Sequence, residues 1–229
     1  MCEQCHINLA EIFDCAKENG VKTLFAGAIK EDIYPLCASR GLILKDYASS
    51  EALLLRNALC TAEGALSILI REMENSVFGS RFTVIGYGRI ASFLAKMLKA
   101  LGGEVICAAR KPDVRAQIEL DGFKAIDINK LDGALPSCDA VINTVPATVL
   151  GESRLRLMQD EALIIDLASA PGGVDFDVAE ELEKRVIWAR SLPGKYSPKT
   201  AADIIKASIF SILSEEDLLP NTPERKGIK

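Results

Sequence analysis

The chain has 229 residues, 49% of them apolar and 26% charged, with a net charge of −5. That balance suits a globular protein able to bury a sizeable core, and it argues against the basic footprint of a nucleic-acid binder. No apolar run reads as long enough to cross a bilayer, and the amino terminus lacks a basic-then-apolar leader pattern, so a cytoplasmic protein without a membrane partner is expected.

The first motif along the chain is Cys2-Glu3-Gln4-Cys5-His6, which has the form used for covalent haem attachment. At a terminus and without an export signal it reads instead as a chance match or a weak metal-binding pair, and no metal site is assigned. The seven cysteines, at 2, 5, 15, 37, 60, 107 and 138, are odd in number and scattered. A disulfide framework is not expected. Residues 8–19 should form a helix ending at Gly20, in the position after a helix that glycine favours. A strand at 23–26, a short helix at 33–39 closed by Gly41, and a strand at 42–44 follow, which is βαβ alternation with only two strands. Residues 50–73 form a proline-free helical pattern with Leu53, Leu54, Ala58, Ala62, Ala65, Leu66 and Leu69 on one broad face. That helix is read as a bridge between two domains.

From residue 81 the alternation becomes regular, with strands expected at 82–85, 104–108, 123–126, 139–143, 162–166 and 185–188. Asp113 to Asp121 should form one of the intervening helices, with Pro112 at its start and Gly122 after its end. Between the first strand and its helix lies Gly86-Tyr87-Gly88-Arg89-Ile90-Ala91. The glycine spacing matters because of this setting: Gly86 permits a tight turn, Gly88 lets the backbone approach a pyrophosphate, and Ala91 keeps the helix close to the strand. The amino end of that helix would face the phosphates. The second strand should end in Asp or Glu if ribose hydroxyls were held there, but it ends in Ala109-Arg110-Lys111. Cations suit a 2′-phosphate, so NADP is expected rather than NAD, although NAD is possible.

These signals predict an α/β protein: a doubly wound, Rossmann-type parallel sheet in the order 3-2-1-4-5-6 over 74–196, preceded by a truncated α/β, flavodoxin-like substrate domain at 1–73 that includes the bridging helix. A helix at 197–213 should return toward the first domain, and 214–229 should be a disordered tail. In such sheets ligands bind beyond the carboxyl ends of the strands. There the chain carries Asn143-Thr144-Val145-Pro146, Asp166-Leu167-Ala168-Ser169, Gly172-Gly173, Ser191-Leu192-Pro193-Gly194-Lys195 and Pro198-Lys199-Thr200. The only histidine is His6. Oxidation of a hydroxy acid commonly uses a histidine to move the alcohol proton, so that chemistry is disfavoured.

Taken together, Gly86-Tyr87-Gly88-Arg89-Ile90, Ala108-Ala109-Arg110, Asn143-Thr144-Val145-Pro146, Asp166-Leu167-Ala168-Ser169, Pro171-Gly172-Gly173-Val174-Asp175-Phe176, Leu192-Pro193-Gly194-Lys195 and Pro198-Lys199-Thr200-Ala201 resemble the family of the dipicolinate synthase A-subunit. Thr61-Ala62-Glu63-Gly64-Ala65 on the bridging helix resembles it too, and 163–173 also resembles alanine dehydrogenase. The resemblance implies an NADP-dependent oxidation of a dihydrodipicolinate-type intermediate to pyridine-2,6-dicarboxylate during sporulation, in the mother-cell cytoplasm. It further implies a small dicarboxylate substrate, a homo-oligomer, and partnership with the flavoprotein-like B-subunit of dipicolinate synthase. On this reading Gly86, Tyr87, Gly88, Arg89, Ile90, Arg110, Lys111, Thr144, Val145, Pro146, Asp166, Leu167 and Ala168 serve the cofactor. Ser169, Gly172, Gly173, Lys199 and Thr200 hold the substrate, through backbone N–H groups in the loop and through Lys199 and Thr200 at a helix start. Lys199, Thr144 and Ser169 are placed nearest the chemistry, with Asp166 and Asp175 as orienting or capping groups. The family begins with a fuller first domain, and Ser191 and Ala202 stand where it often has glycine. Two alternatives are kept: another NAD(P)-dependent amino-, imino- or hydroxy-acid dehydrogenase, and a non-catalytic NADP-binding component of a complex.

Overall fold

The computed structural model describes residues 8–215, so Cys2, Cys5, His6 and the segment from 216 onward lie outside it. The described chain divides into two compact units, one comprising residues 8–56 with 202–215 and the other residues 57–201.

In the first unit the Asn8 side chain accepts the Ala10 N–H and so opens α1 (Leu9–Glu18), satisfying a donor that the helix itself cannot pair. Strand β1 (Thr23–Ala26) pairs in parallel with β2 (Ile43–Asp46), and α2 (Ile33–Ala38) makes the crossover. The pairing runs on through Phe25↔Lys45 and Ala26↔Asp46, so β2 extends two residues past the expected 42–44. Phe13, Cys37 and Leu42 form its small core.

Helix α3 (Glu51–Glu72) passes from the first unit into the second. At 22 residues, with a mean hydropathy of 1.5 over its most apolar 18-residue stretch, it is long and apolar enough to cross a bilayer by length and composition alone, where no such run was expected. Its apolar stripe is nevertheless used inside the protein, because Ala62, Ala65, Ile68 and Leu69 are buried in the main core of the second unit.

The second unit contains β3 (Arg81–Ile85), α4 (Arg89–Ala100), β4 (Glu104–Ala109), α5 (Pro112–Leu120), β5 (Lys124–Asp127), β6 (Ala140–Asn143), α6 (Glu152–Leu155), β7 (Leu163–Asp166), α7 (Phe176–Glu181), β8 (Val186–Trp188) and α8 (Leu192–Tyr196). Its six strands are all parallel, in the order β5-β4-β3-β6-β7-β8, which is the doubly wound order expected from the sequence. β6 and β7 are buried along their whole lengths, as strands covered on both faces must be. One face packs Phe82, Val84, Leu94 and Leu98, and the other packs Ile85, Val141, Ile164 and Leu155. The crossover from β5 to β6 is not an α-helix. It is a pair of 3₁₀ segments at 128–133 and 135–137, where Gly133 and Pro136 interrupt any longer helix. Helix α9 (Pro198–Glu215) runs two residues past the expected end at 213, with Ser214 Oγ donating to the Phe210 carbonyl.

Candidate functional site

The β3–α4 turn opens a cleft of about 710 Å³ at the carboxyl end of the sheet. Gly86 has φ of +91°, and a Cβ there would run into Thr144 Oγ1, so both its backbone and its neighbour require glycine. Gly88 differs: its φ is −84° and a Cβ added to it would meet nothing within 4 Å. It caps α4 without a side-chain hydrogen bond, so the helix presents its first N–H groups beside open space. This is a cradle that suits a pyrophosphate. Ala91, standing for the third glycine, is fully buried where α4 meets the sheet.

Tyr87 lines the cleft, but its hydroxyl donates to Asp121 Oδ2 at 2.7 Å and its ring meets Phe123 edge-on. Burial, then the Asp121 hydrogen bond, push the Tyr87 hydroxyl well above its ordinary pKa. The hydrogen bond from Tyr87 holds the Asp121 carboxyl below the usual range. Tyr87 therefore ties the glycine-rich turn to the end of α5.

Arg110 and Lys111 stand exposed at the end of β4 and line the cleft. No Asp or Glu is among the described residues that line it. Two arginines missed by sequence reasoning brace its walls. Arg115 Nη1 donates to the carbonyls of Ala109 (3.1 Å) and Arg110 (2.7 Å) and pairs with Asp127 at 3.1 Å. Arg154 donates to Asp132, Val149 and Ile128. Both act on carbonyls brought close only by the fold, and no local motif marks them.

The loop after β7 is built differently. Asp166 and Asn143 are fully buried. Asp166 Oδ1 accepts Asn143 Nδ2 (2.8 Å) and the Ala168 N–H (3.0 Å), while Oδ2 accepts the Gly173 N–H at 2.7 Å. The Gly172 N–H donates to the Ser169 carbonyl at 2.8 Å. A Cβ on Gly173 would strike Asn143 Nδ2 and lie 2.6 Å from the Val145 carbonyl. Trp188 Nε1 donates to the Ala168 carbonyl, its ring stacks on Phe176, and Arg190 sits 4.8 Å from the indole centroid.

The family model for the D-isomer specific 2-hydroxyacid dehydrogenase NAD-binding domain matches residues 62–192. The chain belongs to that family. Among curated proteins it is similar to the A-subunit of dipicolinate synthase from Bacillus subtilis, with 34% identity over 69% of this chain and 54% of that protein. Two solved structures of dipicolinate synthase A-subunits share 30% identity with it. The Bacillus halodurans protein superposes with a TM-score of 0.77 over 84% of this chain and 66% of its own. The Bacillus subtilis protein gives 0.79 over 86% and 66%. The chain thus spans a little over half of that curated relative and just under two thirds of each solved one. The resemblance read from the motifs is borne out, and membership of this NAD-binding domain family assigns a nicotinamide dinucleotide to the domain.

As an NAD-binding domain of this family, the second unit gathers Gly86, Tyr87, Gly88, Arg110, Lys111, Val145 and Pro146 around one cleft. Arg89, Ile90, Thr144, Asp166, Leu167 and Ala168, also expected on the cofactor side, do not line that cleft, and neither do Ser169, Gly172, Gly173, Lys199 and Thr200. Ile90 packs on the core, Arg89 is exposed on the first turn of α4, and Lys199 and Thr200 are exposed on the first turn of α9. Three expectations change. The Thr144 hydroxyl donates its single proton to the Ile85 carbonyl at 2.9 Å, so it has none for a substrate carboxylate. The Gly172 and Gly173 N–H groups are likewise already spent, on Ser169 and Asp166. Asp166 has no exposed surface and so does not touch a cofactor, while its bonds to the Ala168 and Gly173 N–H groups give it the orienting role that was also expected.

Proposed function

We propose that the chain is the dinucleotide-binding part of an NADP-dependent oxidoreductase of the dipicolinate synthase type, oxidising a dihydrodipicolinate-type ring to pyridine-2,6-dicarboxylate. The observation that carries the NADP reading is the cleft itself, with Arg110 and Lys111 at the end of β4 and no carboxylate among its described lining residues. A guanidinium pairs with a phosphate through two parallel hydrogen bonds, and a carboxylate at that position would repel it. Gly86 and Gly88 would admit the pyrophosphate to the start of α4, and Val145 and Pro146 would cover the side of the cleft toward β6. When bound, the cofactor supplies a hydride acceptor.

Aromatisation needs little from the protein beyond orientation: a ring C–H leaves as hydride and a ring proton is released to water. The second unit contains no histidine, which suits that reaction better than alcohol oxidation. Two substrate carboxylates still need donors. With Thr144, Gly172 and Gly173 committed elsewhere, the candidates are Ser169, Lys199, Thr200 and Arg190, the last missed in the sequence because only its stacking on Trp188 beside the Ala168 carbonyl marks it. The resemblance supports a homo-oligomer, partnership with a flavoprotein-like B-subunit, and a cytoplasmic role in sporulation.

The family's name favours a second reading, a 2-hydroxy-acid dehydrogenase. One assay separates the two. The full chain, with and without a B-type partner, is given freshly made dihydrodipicolinate precursor with NADP or NAD, and in parallel a panel of 2-hydroxy acids. Pyridine-dicarboxylate absorbance rising with NADPH is the expected result. Reduction of the cofactor by a 2-hydroxy acid alone would sink the first reading.

A further inference from the structure

We propose that Arg154 is the positioning residue that sets the adenosine-side wall of the dinucleotide cleft, an inference that rests on reading the cleft as a dinucleotide site. The cleft lies between two segments that follow different strands, the turn after β5 beginning at Ile128 and the segment 145–149 after β6. No hydrogen bond of the sheet joins them directly, because β4 and β3 lie between β5 and β6. Arg154 spans the gap. Its Nη2 donates to the Ile128 carbonyl, its Nη1 to the Val149 carbonyl and its Nε to Asp132 Oδ1, each at 2.9 Å.

The Arg154 side chain is 20% exposed and that of Asp132 60%, and the two carbonyl bonds are partly buried while the Asp132 bond is exposed. Three acceptors in three directions match the rigid planar fork of arginine, and a lysine ammonium on a flexible stem does not reproduce it. The Val149 end is anchored in turn, since its N–H and that of Leu150 both donate to the Gly173 carbonyl, at 2.9 and 3.0 Å. Arg154 thus joins the wall near Arg110, where the ribose at the second strand's end would lie, to the loop after β7. Its charge is matched by Asp132, so its contribution is to place the walls and not to meet phosphate.

The experiment uses the full chain and the variants Arg154→Ala and Arg154→Lys. Two things are measured: affinity for 2′,5′-ADP and NADPH by calorimetry, and amide hydrogen exchange without ligand. Both variants should bind 2′,5′-ADP and NADPH about tenfold or more weakly, the scale of losing a charge-assisted hydrogen bond. Exchange should rise in 128–133 and 146–150, with β3 and α4 unchanged. If Arg154→Ala does not fold, Arg154→Lys is read by the same two measurements. Unchanged 2′,5′-ADP affinity in a folded variant, or unchanged exchange in both segments, overturns the proposal. A wild-type chain that binds neither dinucleotide nor 2′,5′-ADP overturns the dinucleotide reading instead, and the exchange experiment still reports on the clamp.

Discussion

Two glycine-bearing turns stand at the carboxyl end of the same sheet, and they are built in opposite ways. At the β3–α4 turn Gly88 faces open space and α4 begins without a side-chain cap. At the loop after β7, Gly173 is pressed against Asn143 and Val145, and its N–H is held by a buried aspartate. A turn that opens onto free space suits a ligand. A turn that commits its donors is made to hold a shape.

The sharpest way to break that comparison is to add one methyl group to each turn. Gly173→Ala should lower stability by about 3 kcal/mol or more, because the methyl meets an amide and a carbonyl with nowhere to relax. A thermal melt should fall by about 6–12 °C for a chain of this size. Gly88→Ala should leave the melt nearly unchanged and weaken dinucleotide binding at least about tenfold, since the methyl occupies the space through which a pyrophosphate approaches. Equal effects of the two substitutions, in either assay, would end the distinction.

Next in size, Arg110→Ala should cut the preference for NADPH over NADH by about 10–100-fold, the worth of hydrogen bonds to a charged group, while NADH affinity stays put. Titrating both cofactors against both proteins measures it. A smaller effect is expected at Ser191, which has φ of +59° and ψ of 35°. A side chain costs about 1 kcal/mol in that left-handed conformation, so Ser191→Gly should raise the melt by about 2–4 °C.

A separate effect concerns pH. Burial pushes the Cys107 thiol up to about 12 and the Cys138 thiol up to about 11. An unfolded thiol ionises near pH 8.5, so above that pH the unfolded chain sheds protons that the folded one keeps. Stability from these two sites is complete below about pH 8.5 and falls as pH climbs toward the folded values. Urea melts at pH 7 and 10 should show less of that loss in Cys107→Ala. At pH 8, the exposed Cys15 should be alkylated well before either of them.

Much of the fold was legible because its signals are local. Gly20, Gly41 and Gly122, each in the left-handed region, mark helix ends, and the continuous apolar runs at 140–142 and 163–165 announce a sheet covered on both sides. The dinucleotide turn was legible for the same reason, since its glycines, strand and helix are contiguous. The loop after β7 was not. Its glycines read as free donors, and only the three-dimensional return of Asp166 onto Gly173, seven residues away, shows them spent. Arg154 was silent because its partners Asp132 and Ile128 lie 22 and 26 residues upstream. Ser191 could be noticed as a departure from glycine, but its cost became visible only with its backbone angles.

Asp166 finally bears on how such a chain can change over generations. Its carboxylate binds Gly173, whose carbonyl binds Val149, whose own carbonyl binds Arg154. Reshaping that loop would therefore also shift Val149 and Arg154 at the wall of the cleft. The exposed crest at Ser169 and Ala170 is where a side chain can be exchanged without breaking a side-chain hydrogen bond of that chain of contacts.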